Sequence, residues 1–168
     1  ILLLLLLVSA GPARAVVIGF SATDLPDEPE SGDRWLYEYW LDEFPFDAGW
    51  GFSVFFDPAL YAGLETAAPG PGPDWDPLAI EPDPGLGAFG VYDAEALVDA
   101  PTVTAVFRVR VEWLGLGPPG QQPFEVRDPS LAVFESGMTV VPEPAAAWPG
   151  AGAIAALLAL RAPRRSRC

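Results

Sequence analysis

Two short stretches concentrate the groups that could do chemistry. DWDPLAIEPDP brings Asp74, Asp76, Glu81 and Asp83 close in sequence, and YDAEALVD adds Asp93, Glu95 and Asp99. Carboxylates on loops, helped by backbone carbonyls, can fill the roughly six to eight oxygen positions around Ca²⁺. Asp74, Asp76 and Asp83 are the candidate ligands. Their spacing is not that of an EF-hand loop, because the Gly and the closing Glu are misplaced, and a solvated acidic surface accounts for the same residues. A pair of carboxylates can also act as the acid and base of a glycoside hydrolase. That chemistry needs one raised pKa and a defined separation, and neither is set by spacing along the chain. Trp50 and Trp75 stand beside Gly or Asp in loop-like stretches, where a flat aromatic face could stack on a sugar. Capping the ends of a sandwich is their plainer role. Trp35, Trp40 and Trp113 fall in strand-like runs and are expected in the core.

Absent residue types narrow the chemistry further. The 168 residues contain no His, and all nine basic residues are Arg. The usual imidazole base, the lysine nucleophile and the commonest transition-metal ligand are therefore missing. The single cysteine, Cys168, is the last residue, so no disulfide can form within the chain. All 23 carboxylates lie between Asp24 and Glu143, with only Arg34, Arg108, Arg110 and Arg127 among them, which leaves that segment at −19. Such a body repels nucleic acid. The expectation is a non-catalytic protein with no catalytic residue and no cofactor apart from the calcium option.

The elements that must position these groups are strands. WLYEYWL (35–41) alternates Trp35, Tyr37, Tyr39 and Leu41 on one face, and GFSVFFD (51–57) does the same with Phe52, Val54 and Phe56. VTAVFRVRVEW (103–113) sets Val103, Ala105, Phe107, Val109, Val111 and Trp113 against a mostly polar opposite face. Period-two runs rich in aromatic and β-branched residues are the strand signature, and one apolar face marks an antiparallel sheet covering a core. Weaker strands are expected at 16–20, 78–80 and 89–92, and two more in PFEVRD and LAVFESGMTVV. Residues 21–33 read as a loop, and DPALYAGL (57–64) as a helical turn with Asp57 at its cap and Pro58 in its first position. No amphipathic run is long enough for a substantial helix. Short strands joined by Gly/Pro turns predict an all-β antiparallel sandwich of Ig-like or cohesin-like type over residues 16–141.

The two ends are of another kind. Residues 1–8 are almost pure leucine, followed by a small-residue stretch ending Ala13-Arg14-Ala15. An apolar run before an A-x-A site predicts a signal peptide over residues 1–15, cut by signal peptidase after Ala15. At the other end Pro142-Glu143-Pro144 precedes an uncharged, mostly apolar run, 145–160, and then Arg161, Arg164, Arg165 and Arg167. At ~1.5 Å per residue that run would make a helix about 24 Å long, slightly short of a ~30 Å hydrocarbon core. Clustered arginines beyond it hold that end in the cytoplasm.

This order of tripeptide, apolar helix and arginine cluster resembles the PEP-CTERM sorting signal, over residues 142–168. The resemblance implies that Pro142, Glu143 and Pro144 are read by exosortase, a membrane protease-transferase. It also implies a Gram-negative bacterial setting, an inner-membrane intermediate, and delivery to the cell surface or an exopolysaccharide matrix. The phrases FFDPALYAGL, YDAEALVD and VEWLGLGPPGQQPFEVRD resemble ectodomains found above such tails, which have no established activity. A more distant likeness, resting on the strand pattern and FDPALY, points to cohesin-type and carbohydrate-binding sandwiches. The functional expectation is a structural or adhesive protein of a biofilm or exopolysaccharide setting. A carbohydrate-binding module is the first alternative and a secreted polysaccharide hydrolase the second.

Overall fold

FRVRVEW forms the strand β7 (Phe107–Trp113), and its alternation is realised side chain by side chain: Phe107, Val109 and Val111 are buried, and Arg108, Arg110 and Glu112 face outward. The same rule builds β2 (Asp33–Leu41), with Tyr37, Tyr39 and Leu41 inside, and β3 (Gly51–Phe56), with Phe52, Val54 and Phe56 inside. The computed structural model describes residues 15–27, 32–42, 44–102 and 104–142. Among them the remaining strands are β1 (Ile18–Asp24), β4 (Tyr61–Thr66), β5 (Trp75–Ile80), β6 (Gly90–Ala96), β8 (Pro123–Arg127) and β9 (Val133–Met138). No helix in the described residues is long and apolar enough to cross a membrane. The expected span 145–160 lies outside them, as do Ala13, Glu143, Pro144, Arg161, Arg164, Arg165 and Arg167.

The strands pair into two antiparallel sheets, β1-β2-β7-β4 and β5-β6-β3-β8-β9. Their inner faces meet in an aromatic core. Phe107 packs edge-on against Phe52 at 4.9 Å and Trp75 at 5.0 Å, and Phe56 against Tyr61 at 5.1 Å. Such pairs add about 0.5–1.5 kcal/mol to the area they bury. The all-β sandwich expected from the pattern is what the chain forms.

Two local expectations are corrected. Residues 21–24, read as loop, continue β1, because they pair with 35–38 of β2. The expected turn over 57–64 is one capped turn that ends at Tyr61, where β4 begins. Asp57 Oδ1 accepts from the Ala59 amide at 2.8 Å and the Asp57 carbonyl from Leu60 and Tyr61, after which the chain extends.

The direction of each strand gives the sandwich two poles. The β1–β2, β3–β4, β5–β6 and β7–β8 connections lie at one pole; the β2–β3, β4–β5, β6–β7 and β8–β9 connections lie at the other, where residues 15–17 enter. After β9 the chain changes sheet. Val140 bridges to Gly19 in parallel, donating to the Ile18 carbonyl at 2.9 Å and accepting from the Phe20 amide at 2.8 Å. It then leaves through Val141 and Pro142 towards the first pole, the tail pole. Pro142 has no amide proton, so the ladder along β1 cannot continue through it.

Candidate interaction surface

The outer face of the five-stranded sheet is built from the odd members of each alternation. Register places Ile80 beside Val91, Val91 beside Phe55, and Pro123 beside Met138, with Pro123 next to the Phe124 that pairs with Val54. One apolar row thus crosses all five strands. Ile80 and Met138, at its ends, are about half exposed, at 51% and 49%. Leu78, exposed, adjoins the row on β5.

The next row is polar. Leu78 is followed by Asp93, Ser53, Glu125 and Ser136. Arg127 reaches back to bond both Ser53 Oγ and Asp93 Oδ1, and Ser53 Oγ also donates to Asp93. Ser53 is fully buried under this ion pair. A serine held this way is no nucleophile, because the carboxylate beside it is engaged by the guanidinium and the hydroxyl is shielded from a substrate. Glu125 on β8 in that row, and Asp76 and Glu95 paired on β5 and β6 one row further on, place carboxylates on one side of the apolar row.

The calcium candidates do not come together. Asp74 precedes β5 at the pole away from the tail. Its Oδ2 accepts from Thr102 N at 3.1 Å and Thr102 Oγ1 at 2.8 Å, and these bonds hold its carboxyl below the ordinary range. Asp76 is on the outer face of β5. Asp83 is past the other end of that strand, where its Oδ1 caps a turn by accepting from Gly85 and Leu86. The intervening strand, at ~3.3 Å per residue, keeps Asp74 and Asp83 apart. Among the described residues no group of three or more acidic or thiol side chains could hold a metal ion.

The tryptophans also sort differently from expectation. Trp75 opens β5 and is 3% exposed, packed on Phe46, Phe52 and Phe107, so it is a core residue and not a ligand platform. Trp50 sits half-buried between Phe44 and the exposed Phe134, at 6.0 and 5.4 Å, as a cap on the pole away from the tail. Trp35, Trp40 and Trp113, expected inside, are only partly buried. Trp40 lies over Gly19 on the outer face of the four-stranded sheet, where the missing side chain leaves room for its ring. Of the sorting tripeptide, Pro142 is described, and of the expected cleavage site Ala15 is described and exposed.

A buried polar knot was not legible in the sequence. Gln122, at 1% exposure, donates through Nε2 to Tyr37 Oη at 2.6 Å and Tyr61 Oη at 3.1 Å. Its Oε1 accepts from Tyr39 Oη at 3.1 Å and Thr139 Oγ1 at 3.3 Å. The knot ties both sheets together at the tail pole and fixes the start of β8 to the end of β9. One Gln of the adjacent pair Gln121 and Gln122 in a Gly/Pro-rich stretch carries no periodic signal that would announce it.

No protein-family model matches this chain, and no curated protein matches it. A solved structure to which it is similar is a type II cohesin domain from the cellulosome of Acetivibrio cellulolyticus. The two share 13% identity over 77% of this chain and 93% of that domain, with a TM-score of 0.40. Similarity at that level carries no function across, so a functional reading must rest on the surface itself.

Proposed function

We propose that this chain is an exported, non-catalytic adhesive or structural protein, sorted by its tail through exosortase to the cell surface or an exopolysaccharide matrix. Its sandwich docks another protein through the outer face of β5-β6-β3-β8-β9. The observation that carries the docking role is the apolar row from Ile80 to Met138, bordered on one side by a polar, carboxylate-bearing row. An apolar strip rimmed by charge is the usual composition of a protein-binding face. The shielding of Ser53 favours a role without catalysis.

Two features support the processing steps. Val16 is buried and its nitrogen already donates to Glu135 Oε2 at 2.9 Å, so a cut after Ala15 would put an ammonium on a waiting carboxylate. Pro142 itself is exposed, as a residue read by a protease must be. The polysaccharide-binding alternative now rests on Trp50 with Phe44 and Phe134.

The test follows the protein in cells that make exosortase. Wild type is expected to lose its tail and to stay with the cell surface or matrix. Ile80→Glu with Met138→Glu is expected to be exported, trimmed and folded, yet shed to the medium. Retention of that double variant would remove the docking face, and an untrimmed tail would remove the sorting role.

A further inference from the structure

The tail pole carries an apolar tip that the docking face does not use. The β7–β8 connection, LGLGPPGQQ (114–122), has no charged residue in a strongly acidic protein. Leu116 is 99% exposed and Leu114 53%. This tip is built and not loose. Leu114 N donates to the Leu60 carbonyl at 2.9 Å, which brings the exposed Leu60 alongside. Trp113 folds over Gly115, and its Nε1 donates to the Gly117 carbonyl at 2.7 Å. Gly117 turns the chain at φ 71°, a conformation that glycine adopts without steric cost. The two exposed leucines are therefore held outward by a fixed turn.

The same loop borders the place where the chain leaves the body. Pro118, Pro119, Gly120 and Gln121 line one groove with Val141 and Pro142, of about 480 Å³. Only Glu143 and Pro144 separate Pro142 from the apolar run that starts at Ala145. Three residue steps, even fully extended, span at most about 10 Å. If the apolar run sits in a bilayer, the end of the folded body cannot stand farther from the membrane than that. Of the two poles, the tail pole must then face the lipid.

We infer that, while the tail is attached, the tail pole rests on the membrane surface with Leu114 and Leu116 entering the lipid interface. This rests on the tail being a membrane segment, as proposed above. The partner is a zwitterionic bilayer. Asp24, Asp27, Asp57 and Asp83 stand on the neighbouring connections of this pole and would be repelled by anionic headgroups. An exposed leucine gains by leaving water for the acyl boundary, and a rigid turn enters without further ordering cost.

The experiment uses the full chain in phosphatidylcholine nanodiscs, in a Cys168→Ser background that leaves one thiol at a time for an environment-sensitive fluorophore. Labels are placed by Leu116→Cys at the tip, Ser130→Cys at the opposite pole and Leu157→Cys in the apolar run. Spin-labelled lipid is expected to quench the labels at 116 and 157 several-fold more than the label at 130. Quenching at 157 with none at 116 overturns the inference while the anchor stands. Quenching at neither overturns both, because the apolar run is then not in the bilayer. Leu114→Ser, added to the chain labelled at 116, should reduce quenching there, and unchanged quenching would show that the loop does not insert.

Discussion

At the scale of single residues, the buried hydroxyls decide where a substitution hurts. Gln122 satisfies hydroxyls from three tyrosines and one threonine inside the sandwich. Gln122→Ala leaves several buried polar groups without their partner and should cost about 2–4 kcal/mol in urea unfolding. Tyr92 is the contrasting case. Its hydroxyl is buried with no hydrogen-bond partner of good geometry among the described residues, and burial pushes its pKa up against a smaller opposing effect of the Arg108 backbone. Tyr92→Phe removes a polar atom that gains nothing from folding, so it should be neutral or stabilising by up to about 1 kcal/mol. Equal losses in the two variants would mean that packing, and not hydrogen bonding, governs both sites. Glu135 belongs to the same scale. Its bond to the Val16 nitrogen should matter more once that nitrogen carries charge, so Glu135→Gln should destabilise the protein cut after Ala15 more than the uncut chain. Unfolding midpoints of the four proteins check this, and equal losses would count against a charge-assisted bond.

At the scale of elements, the misread β4 shows what spacing can hide. Tyr61 and Leu64 are both buried, three residues apart, an interval that a strand's period of two does not produce. The register against β7 shifts between Ala62 and Glu65, and Gly63 takes φ 59°. A bulge inserts an extra residue, so the inward face recurs after three residues instead of two. A period of two finds regular strands such as β2, β3 and β7, but it cannot find a strand whose period is broken once. The loop reading of Trp75 failed for a related reason. Its neighbours Asp74 and Pro77 look like turn residues, yet β5 is an edge strand, where a proline costs no ladder bond. The polar knot and the apolar row were illegible because each gathers residues from several strands, and pairing order is not written in any one of them. The bulge gives a direct test. A Cβ at Gly63 would meet Glu112 Cβ only at 3.5 Å, so space is available and backbone strain alone opposes substitution. Gly63→Ala should cost about 1 kcal/mol, and Gly63→Asn less, because Asn tolerates the left-handed region. If both substitutions left the thermal midpoint unmoved, the bulge would not require that conformation.

At the scale of the whole molecule, stability is bounded on both sides by ionisation. Tyr37, Tyr39 and Tyr92 are held neutral well above their ordinary value of 10.0, chiefly by burial away from water. Their folded pKa values lie above the unfolded one, so the associated stability is complete below pH 10.0 and falls as pH rises beyond it. On the acid side, Asp74 and Asp128 are lowered from 3.8, the first by Thr102 and the second mainly by the Ser130 hydroxyl. What they contribute is present above pH 3.8 and is lost as pH falls through their lower folded values. Both are partly exposed turn residues, so the acid loss should be gradual, whereas the buried phenols should resist ionisation until the sandwich opens. On raising the pH, the phenolate absorbance of these three tyrosines should therefore appear together with loss of the β-sheet circular dichroism. Added salt should delay that transition, since the net charge of −14 repels itself and the surface ion pairs Arg108–Glu38 and Arg110–Glu65 are too exposed to outweigh the repulsion. If phenolate absorbance from those tyrosines rose while the sheet signal held, water would be reaching the knot in the folded state, and the aromatic core would not be what closes the tail pole.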